Sequence, residues 1–289
     1  MVQHIEVKSI LSKLKSKDPY FGLTYNMNLY RGCQHGCIYC DTRSDCYGIG
    51  DISSISVKKN ALELLNKELS SKKIRATVGT GSMNDPYMPV EKKMEMTRNA
   101  LKILDYHKFP VHIITKSTLV ERDYDILQNI TKTYAAVSIT ITSAEDSLSK
   151  KIEPHAPASS KRFAAIEFLA DKGIYTGITL MPLLPFINDT EENIELILKK
   201  AKDSGASYVS PMFGVTLRKG SREYFYNALD NQFPTMKLNY QKTFGEQYEC
   251  MSPDYRILQD TFRELSQKLN IPSKMNFYQQ STNRQLSIF

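Results

Sequence analysis

Cysteines are the residues of this 289-residue sequence that are best suited to chemistry, and most of them are crowded together. Four of the five lie within fourteen residues and the fifth stands alone far downstream: Cys33, Cys37, Cys40 and Cys46, then Cys250. A disulfide framework spreads its cysteines to join distant segments of a chain. The crowding therefore indicates metal ligation in a reducing compartment.

The first three cysteines have the spacing C-x3-C-x2-C within the segment RGCQHGCIYC. Two glycines in that segment let the backbone curl, so three thiolates can converge on one inorganic cluster. A cubane cluster held by three cysteines leaves one iron free for an external ligand. The alternative is a structural zinc knuckle in which Cys46 or His35 supplies the fourth ligand, although zinc sites usually divide their ligands into two distant pairs. We expect a [4Fe-4S] cluster on Cys33, Cys37 and Cys40.

The elements that must position this loop alternate between short apolar strands and amphipathic helices. The predicted strands are 22–28, 75–79, 111–116, 135–142, 174–181 and 208–213. The predicted helices are 57–69, 91–106, 122–128, 159–171 and 190–203. Repeated strand–helix units with near-continuous apolar strands predict an α/β fold with a parallel sheet covered by helices. Six such units predict an open, partial (β/α)6 barrel.

The barrel is predicted to span residues 21–213, between a leader and a C-terminal region. Residues 1–20 read as a basic helical leader, 214–270 as a helical extension with a helix from about 254 to 269, and 271–289 as a polar tail. Within the barrel, Gly173 is a stop signal for helix 159–171. Thr190 with its neighbours is an N-terminal cap for helix 190–203.

The charge balance favours a polyanionic partner without naming one. The formal net charge is +7, which suits nucleic acid but constrains solubility and non-specific attraction more than it identifies a ligand. No apolar run approaches the roughly 20 residues that span a bilayer, and the start lacks a secretory signal. We expect a cytoplasmic protein without a membrane partner.

Four stretches of the sequence, in the same order, resemble the spore photoproduct lyase branch of the radical S-adenosylmethionine superfamily, and especially its uncharacterised lyase-like relatives. They are NLYRGCQHGCIYC, GSMNDPYMPVE, IEPHAPASSKR and MPLLPFINDTEEN. The resemblance implies that the open iron chelates the methionine moiety of S-adenosylmethionine. One electron from the cluster then breaks the sulfonium bond, and the 5'-deoxyadenosyl radical abstracts hydrogen from a substrate. It also implies an electron donor such as flavodoxin or ferredoxin.

The resemblance further implies which residues hold the cofactor. In spore photoproduct lyase, polar residues at the carboxyl ends of successive strands do so, where barrels place their active sites. By position, Asn84 and Asp85 are implied contacts of the methionine amino group, and Lys116 is the implied contact of its carboxylate. Ser138 is a further implied contact, and Tyr39 is expected to line the adenine site.

One departure from the lyase concerns the final hydrogen transfer. The lyase returns a hydrogen atom through a cysteine aided by a tyrosine, and the matching positions here are Ser82 and Asp41. A serine O–H bond is too strong to donate a hydrogen atom readily. Repair of spore photoproduct by the lyase's route is therefore not expected, and Cys46 or a nearby tyrosine is the candidate substitute donor.

The last five residues resemble the short peptide by which bacterial replication and repair proteins bind the DNA polymerase sliding clamp. They are Gln285, Leu286, Ser287, Ile288 and Phe289. In that mode the glutamine makes hydrogen bonds while the leucine and the aromatic residue fill an apolar pocket. The alternative is that these apolar residues fold back as a final strand.

Three functions are compatible with these features. The first is a radical enzyme that repairs or modifies a nucleic acid, which the lyase-like scaffold, the charge and the terminal peptide favour together. The second is a radical enzyme that modifies a peptide or a small metabolite, since a fold does not assign a substrate. The third is a non-catalytic, metal-bound nucleic-acid adaptor.

Overall fold

Six parallel strands form the centre of the molecule, in a computed structural model that describes residues 2–16 and 18–280. They are β3 (Tyr25–Met27), β6 (Val78–Gly79), β7 (Val111–Thr115), β8 (Ala135–Thr140), β9 (Tyr175–Leu180) and β10 (Val209–Pro211). These strands follow one another across the sheet in chain order, and β2 (Leu11–Lys13) adds an antiparallel edge beside β3. The partial (β/α)6 barrel expected from the sequence is confirmed.

Helices cover the outer face of this sheet because the strands are apolar on both faces. All six residues of β8 are buried, for example. The covering helices are α1 (Ala61–Ser70), α2 (Glu91–Met94), α3 (Met96–Tyr106), α4 (Tyr124–Ile130), α5 (Asp146–Ile152), α6 (Ser159–Asp171) and α7 (Glu191–Asp203). Short 3-10 helices are present at Asp41–Arg43, Asp45–Tyr47 and Thr118–Asp123.

Two of the helix boundaries confirm the local signals in the sequence. The Thr190 side chain accepts a hydrogen bond of 3.1 Å from the Asn193 N–H at the start of α7. Gly173 has a φ of +73° just beyond α6, a conformation that glycine adopts without steric strain.

The predicted helix 91–106 is interrupted at Glu95, where φ is +50°. The buried Glu91 carboxylate accepts a hydrogen bond of 3.1 Å from the Thr97 N–H and lies 2.8 Å from the Arg122 guanidinium. This carboxylate therefore caps the start of α3. The predicted helix is therefore divided into α2 and α3, and the break at Glu95 places the Glu91 carboxylate at the start of α3.

The predicted helical leader is wrong, since residues 3–5 and 11–13 form strands and no helix is present between them. β1 (Gln3–Ile5) pairs with β5 (Ser56–Lys58), which also pairs with β4 (Tyr30–Arg31) in a small separate sheet. β5 takes up the first residues of predicted helix 57–69. The Glu68 carboxylate accepts hydrogen bonds of 2.9 and 3.0 Å from the Ile10 and Leu11 N–H groups. Strand pairing and this contact satisfy the backbone, so a leader of helical character becomes extended.

The C-terminal extension contains a β-ribbon as well as helices. β11 (Gly214–Thr216) pairs with β12 (Glu249–Met251), and the helices are α8 (Ser221–Gln232), α9 (Met236–Phe244) and α10 (Tyr255–Leu269). α10 lies against α7, where the Thr261 hydroxyl donates to Glu191 at 2.6 Å. The predicted helix from about 254 to 269 is confirmed, whereas α8 and α9 were not anticipated as separate helices.

The first part of the predicted polar tail is docked beneath the barrel. The Val209 N–H donates to the Pro272 carbonyl at 3.0 Å, and the Tyr134 hydroxyl donates to the Asn276 carbonyl at 2.6 Å. Met275 is buried in the same region. Residues 271–277 therefore pass under the amino-terminal ends of the last strands. The possible clamp-binding residues 285–289 lie outside the residues that the structure describes.

Over the described part of the chain, no helix combines the length and the apolar character that crossing a membrane requires.

Candidate active site

A cavity of about 330 Å³ opens at the carboxyl ends of the barrel strands, a volume within the range of small-molecule sites. Loop residues in its wall are Cys33, His35, Cys37, Tyr39, Cys40, Asp41 and Thr42. The strand ends contribute Gly81–Asp85, Ile114–Lys116, Thr140, Met181, Pro182 and Met212, and β11 contributes Val215 and Thr216. The three cysteines of the C-x3-C-x2-C motif thus meet the strand ends at one cavity.

Backbone contacts hold the cysteine loop in this position. The Cys33 N–H donates to the Ile52 carbonyl at 2.7 Å, and the Ile38 N–H donates to the Ile152 carbonyl at 2.9 Å. Gly32 has a φ of +86°, and a Cβ there would lie 2.7 Å from the Ile52 carbonyl oxygen. Glycine is therefore required at that position for both conformation and space.

The three thiols at the cavity are free and differ in burial. Cys33 and Cys37 are buried, and Cys40 is partly exposed. Burial raises the pKa of Cys33 to about 11. Burial also raises the pKa of Cys37, although the Lys116 ammonium opposes it. Thiols in such a site become thiolates only when a positive group such as iron compensates the charge.

Asp85, in the loop after β6, contacts three other residues of the site. Its carboxylate accepts hydrogen bonds of 2.6 Å from the Thr115 hydroxyl and 2.7 Å from the Lys116 N–H, and lies 3.1 Å from the His35 imidazole. Burial alone would raise the pKa of Asp85, but His35 and these hydrogen bonds outweigh it and hold the pKa well below its ordinary value. The Asp85 carboxylate therefore ties the cysteine loop to β7.

Asn84 and Lys116, the neighbouring implied cofactor contacts, also line the cavity. The Asn84 amide donates 2.8 Å to the Tyr30 carbonyl, which fixes its orientation. Lys116 Nζ lies 5.6 Å from the Tyr39 ring centre. Burial would lower the pKa of Lys116, but Cys37, Glu153 and Asp85 outweigh it and raise the pKa. Lys116 therefore presents a stable positive charge to the cavity.

At the base of the cavity lies a set of polar and charged side chains that we call the floor: Tyr39 and Lys116, which line the cavity, and the buried Glu153 and Arg162. Arg162 and Glu153 form an ion pair of 2.5 Å, and both side chains are at most 1% exposed. The Tyr39 hydroxyl donates to the other Glu153 oxygen. Burial would raise the pKa of Glu153, but Arg162 and then Lys116 lower it. The floor thus fixes Tyr39, which the sequence assigned to the adenine site.

At the mouth of the cavity lies a more exposed set that we call the rim: Asp41, Tyr47, Arg218 and Tyr248. The Tyr47 hydroxyl donates to Asp41 at 2.8 Å, and Arg218 donates to the Tyr248 hydroxyl at 2.8 Å. Arg218 Nε lies 3.7 Å from Asp41, and its guanidinium lies 4.6 Å from the Tyr248 ring centre. Burial and the Asp41 hydrogen bond raise the pKa of Tyr47 to about 12.

The three candidates for hydrogen transfer are placed differently. Ser82 and Asp41 line the cavity. The Asn26 amide donates to the Ser82 hydroxyl oxygen, so that oxygen acts as an acceptor. Cys46 is exposed and does not line the cavity, and its sulfur lies 3.6 Å from an Arg218 nitrogen. Cys46 therefore belongs beside the rim.

Ser138, which the resemblance implies as a cofactor contact, is not among the residues that line the cavity. It points inward from β8, but its hydroxyl lies 2.6 Å from the Tyr208 hydroxyl and 2.7 Å from His112 Nε2, deeper in the barrel. Thr140, two residues later on the same face of β8, lines the cavity instead. Sequence position identified the strand but not the layer within it.

Other site residues carry weak sequence signals. Met181 and Met212 stand at predicted strand ends, where alternation alone could have marked them as inward-facing. Tyr47 and Tyr248 are more than two hundred residues apart, and only the return of β12 beside β11 brings them together. The rim therefore required the three-dimensional structure.

The donor set at the cavity suits a multi-iron cluster better than a single ion. Among residues 2–16 and 18–280, no three His, Cys, Asp or Glu side chains are grouped as one bound metal ion requires. A cubane cluster spreads three thiolates over three separate irons, and free thiols from one loop provide such a set. The zinc-knuckle alternative gains no support from this arrangement.

Comparison with known proteins gives relatives of both sequence and fold. An uncharacterized protein of Methanocaldococcus jannaschii is 33% identical over 230 residues, which is 77% of this chain and 83% of that protein. A radical SAM Nalpha-GlyT isomerase of Pseudomonas phage M6 is 25% identical over 181 residues, or 63% of this chain and 37% of the phage protein. The structure of spore photoproduct lyase complexed with dinucleoside spore photoproduct matches with a TM-score of 0.70 at 15% identity, covering 93% of this chain and 79% of the lyase.

The sequence model of the radical SAM superfamily matches residues 27–201. That range is more than half of the chain, and it includes the cysteine loop and four of the six parallel barrel strands, β6 to β9. The lyase structure shares the barrel architecture as a whole. The chain therefore belongs to the radical SAM superfamily of enzymes.

Proposed function

We propose that this enzyme holds a [4Fe-4S] cluster on Cys33, Cys37 and Cys40, binds S-adenosylmethionine beside it, and acts on a nucleic acid. Membership of the superfamily implies both cofactors. The observation that carries the residue assignment is the convergence of three free thiols and the Lys116 ammonium at one cavity. The crowded free thiols also support a reducing compartment, which we take to be the cytoplasm.

The residues of the cavity supply binding and orientation. When bound, the two cofactors supply a 5'-deoxyadenosyl radical that takes a hydrogen atom from the substrate. Lys116 offers a charge-assisted contact to a carboxylate, and Asn84 offers a fixed amide. Asp85 already contacts His35, Thr115 and the Lys116 N–H. We therefore assign it to positioning the loop rather than to direct contact with the cofactor.

The floor also protects the reaction. Tyr39, Glu153 and Arg162 are buried and bonded to one another, so they hold Tyr39 against the cavity without admitting water. A fixed ring at this place gives the adenine of S-adenosylmethionine a flat apolar face to pack on. Exclusion of water limits the side reactions of a carbon radical.

The rim supports a nucleic-acid substrate. Arg218 stacks on Tyr248 in the rim, and in a neighbouring pair outside the rim the Arg43 guanidinium lies 3.5 Å from the centre of the Tyr224 ring. Tyr224 and Tyr248 are 40% and 42% exposed. Paired cations and exposed aromatic rings bind phosphates and stack bases in proteins that hold unpaired strands. The structurally similar lyase is complexed with dinucleoside spore photoproduct, which agrees with this choice.

The hydrogen-transfer step is proposed to differ from that of the lyase. Ser82 and Asp41 occupy the lyase's donor positions, and neither side chain gives up a hydrogen atom readily. Tyr47 is the nearby alternative, since its hydroxyl already contacts Asp41 at the cavity wall. Cys46 stands beside it in the chain. We therefore propose modification or repair of a base by a route other than spore photoproduct reversal.

The decisive experiment is anaerobic incubation of the purified protein with S-adenosylmethionine, a chemical reductant, and damaged and undamaged DNA. We expect a brown protein that forms 5'-deoxyadenosine and a new mass among the digested nucleosides. A colourless zinc protein would support the adaptor instead. Formation of 5'-deoxyadenosine without any nucleic acid binding or product would favour a peptide or metabolite substrate.

Recruitment to DNA by residues 285–289 is proposed from the sequence alone. The test is fluorescence anisotropy of the last nine residues, and of the whole protein, against the sliding clamp of the same organism. We expect micromolar binding that is lost in Leu286→Ala and Phe289→Ala. Absence of binding by both the peptide and the protein would remove this partner.

A further inference from the structure

A second cavity lies on the outer side of the cysteine loop, and we call it the groove. Its volume is about 570 Å³. His35 lines both the groove and the active-site cavity. The cysteine loop is therefore the partition between the interior of the barrel and this surface depression.

The wall of the groove touches the loop between two of the proposed cluster ligands. The His155 N–H donates to the His35 carbonyl at 3.1 Å. A Cβ on Gly36 would lie 2.9 Å from His155 Cδ2 and 3.5 Å from Pro154 Cγ. The segment from Pro154 is thus in van der Waals contact with the loop next to Cys37, and it is exposed on its other side.

The groove is basic. Lys92, Lys150 and Lys161 line it, all three are exposed, and none forms an ion pair within 4 Å with a described residue. Its acidic lining residue is Asp146, whose carboxylate accepts hydrogen bonds of 2.8 and 2.6 Å from the Ser160 N–H and hydroxyl. Three lysines against one carboxylate give the lining of the groove a net positive charge.

The groove differs chemically from the rim. Its apolar lining includes Pro89, Leu119, Pro154 and Pro157, which suit contact with another protein. Its tyrosine, Tyr87, is fully buried, so no tyrosine of the groove is available to stack on a base. These features favour an acidic protein surface over a nucleic acid as the occupant.

We propose that the groove is the docking surface of a small acidic electron-transfer protein of the flavodoxin or ferredoxin type. The inference rests on the proposed function, because it requires a cluster on the cysteine loop. One electron passes from the docked donor to the cluster, the donor is oxidised by one equivalent, and no bond or proton of this chain changes. The groove gives that electron a short path, since its wall contacts the loop that carries the thiolates.

The test compares charge reversal in the groove with a matched reversal elsewhere. The groove variant is Lys92→Glu, Lys150→Glu and Lys161→Glu. The control variant is Lys67→Glu, Lys102→Glu and Lys132→Glu, which alters three exposed lysines that do not line the groove. Binding of a purified acidic flavodoxin to immobilised full-length protein at low ionic strength is measured first, since it needs no turnover.

We expect the groove variant to bind flavodoxin about tenfold more weakly, and the control less than about twofold, because facing charges set both steering and affinity. Equal weakening in both variants, or none in the groove variant, would overturn the proposal. Loss of DNA affinity in the groove variant with flavodoxin affinity unchanged would overturn it too, and would assign the groove to nucleic acid.

A second measurement separates this inference from the proposed function. With dithionite, a small reductant that needs no docking, 5'-deoxyadenosine formation by the groove variant should equal that of the unaltered protein. With reduced flavodoxin as the electron source, its rate should fall about tenfold, as docking does. Failure of every variant with dithionite would count against the proposed function, and the binding measurement would still decide the role of the groove.

Discussion

In the floor, Glu153 and Arg162 are 2.5 Å apart and at most 1% exposed, whereas in the rim Asp41 and Arg218 are 3.7 Å apart and 32% and 39% exposed. Both ion pairs belong to one cavity, but the Glu153–Arg162 pair is shielded from water and the Asp41–Arg218 pair is exposed to it. In the floor, each charge depends on its partner because water cannot replace it. In the rim, water already solvates both charges, so either one is free to bind something else.

Because of this difference, we expect the floor and the rim to have different roles. The floor and the cysteine loop hold their geometry whether or not a substrate is present, because their hydrogen bonds are internal. The rim offers two tyrosines and a cation that can exchange their mutual contacts for contacts with a ligand. Variants in the floor should therefore affect folding and cofactors, and variants in the rim should affect the substrate.

The largest expected effect is on the cluster. Alanine at Cys33, Cys37 or Cys40 should abolish cluster binding, because two thiolates do not hold the cubane. Cys46→Ala should retain the cluster, since that sulfur lies outside the cavity. The measurement is iron and sulfide content with the visible spectrum after anaerobic reconstitution. A bleached Cys46→Ala protein, with iron retained in one of the other three variants, would show the ligand assignment to be wrong.

The next effect concerns the stability of the floor. Glu153→Gln should lower the free energy of unfolding by about 3 kcal/mol, because Arg162 is left as a buried, uncompensated charge. Asp41→Asn, the matched change in the rim, should cost less than about 1 kcal/mol. Urea titration of the cluster-free proteins measures both values. Equal losses in the two variants would erase the contrast between floor and rim.

Acidification should reduce the contribution of the Glu153 charge to the stability of the floor. The folded pKa of Glu153 is lowered, so its contribution is present above the unfolded value of about 4.3 and is lost as the pH falls through the folded pKa. The stability gap between the unaltered protein and Glu153→Gln should therefore shrink on acidification below that unfolded value. A gap that stayed constant over this range would mean that the Glu153 charge is not what stabilises the floor.

Cofactor affinity should respond to a smaller degree. Lys116→Met should weaken S-adenosylmethionine binding by about 1.5 to 3 kcal/mol, the range of a charged hydrogen bond, and leave the iron content intact. Asp85→Ala should weaken binding as well, but it should also loosen the cysteine loop. Ser138→Ala is the control that should leave affinity unchanged. Isothermal titration measures the affinities, and unchanged binding by Lys116→Met would remove that residue from the site.

The smallest effect is expected at the rim. Arg218→Ala should weaken DNA binding by about 1 kcal/mol and reduce the slope of log affinity against log salt by about 1, since one phosphate contact is lost. Lys132→Ala, at an exposed position away from the cavity, should leave the slope unchanged. Salt-dependent anisotropy with a labelled single strand measures both. A slope that is the same in Arg218→Ala and in the unaltered protein would place the substrate elsewhere.

The sequence predicted the barrel well because its strands carry an unambiguous signal. The apolar run from Ala135 is buried over its whole length, and cap residues such as Thr190 act within one helical turn. The leader escaped prediction because its extended form depends on pairing with β3 and β5, which lie more than ten residues away. The local propensity of a segment does not indicate which distant strand it pairs with.

The site followed the same division. The cysteines are neighbours in the chain, so their spacing alone predicted a common target. Ser138 was assigned to the right strand but lies one layer too deep, because a sequence gives the face of a strand and not the depth of its cavity. The Glu153–Arg162 pair was not identified from the sequence and is apparent only in the structure, where both side chains are at most 1% exposed.

Residues 271–277 are docked beneath the barrel, on the side away from the opening of the cavity. The cavity opens at one end of the strands, and Pro272 and Asn276 are fastened at the other. A protein that bound residues 285–289 would therefore be connected to the barrel through residues 271–277, at the amino-terminal ends of the strands. Residues 271–280 contribute nothing to the wall of the cavity, so this connection leaves the lining of the cavity unoccupied.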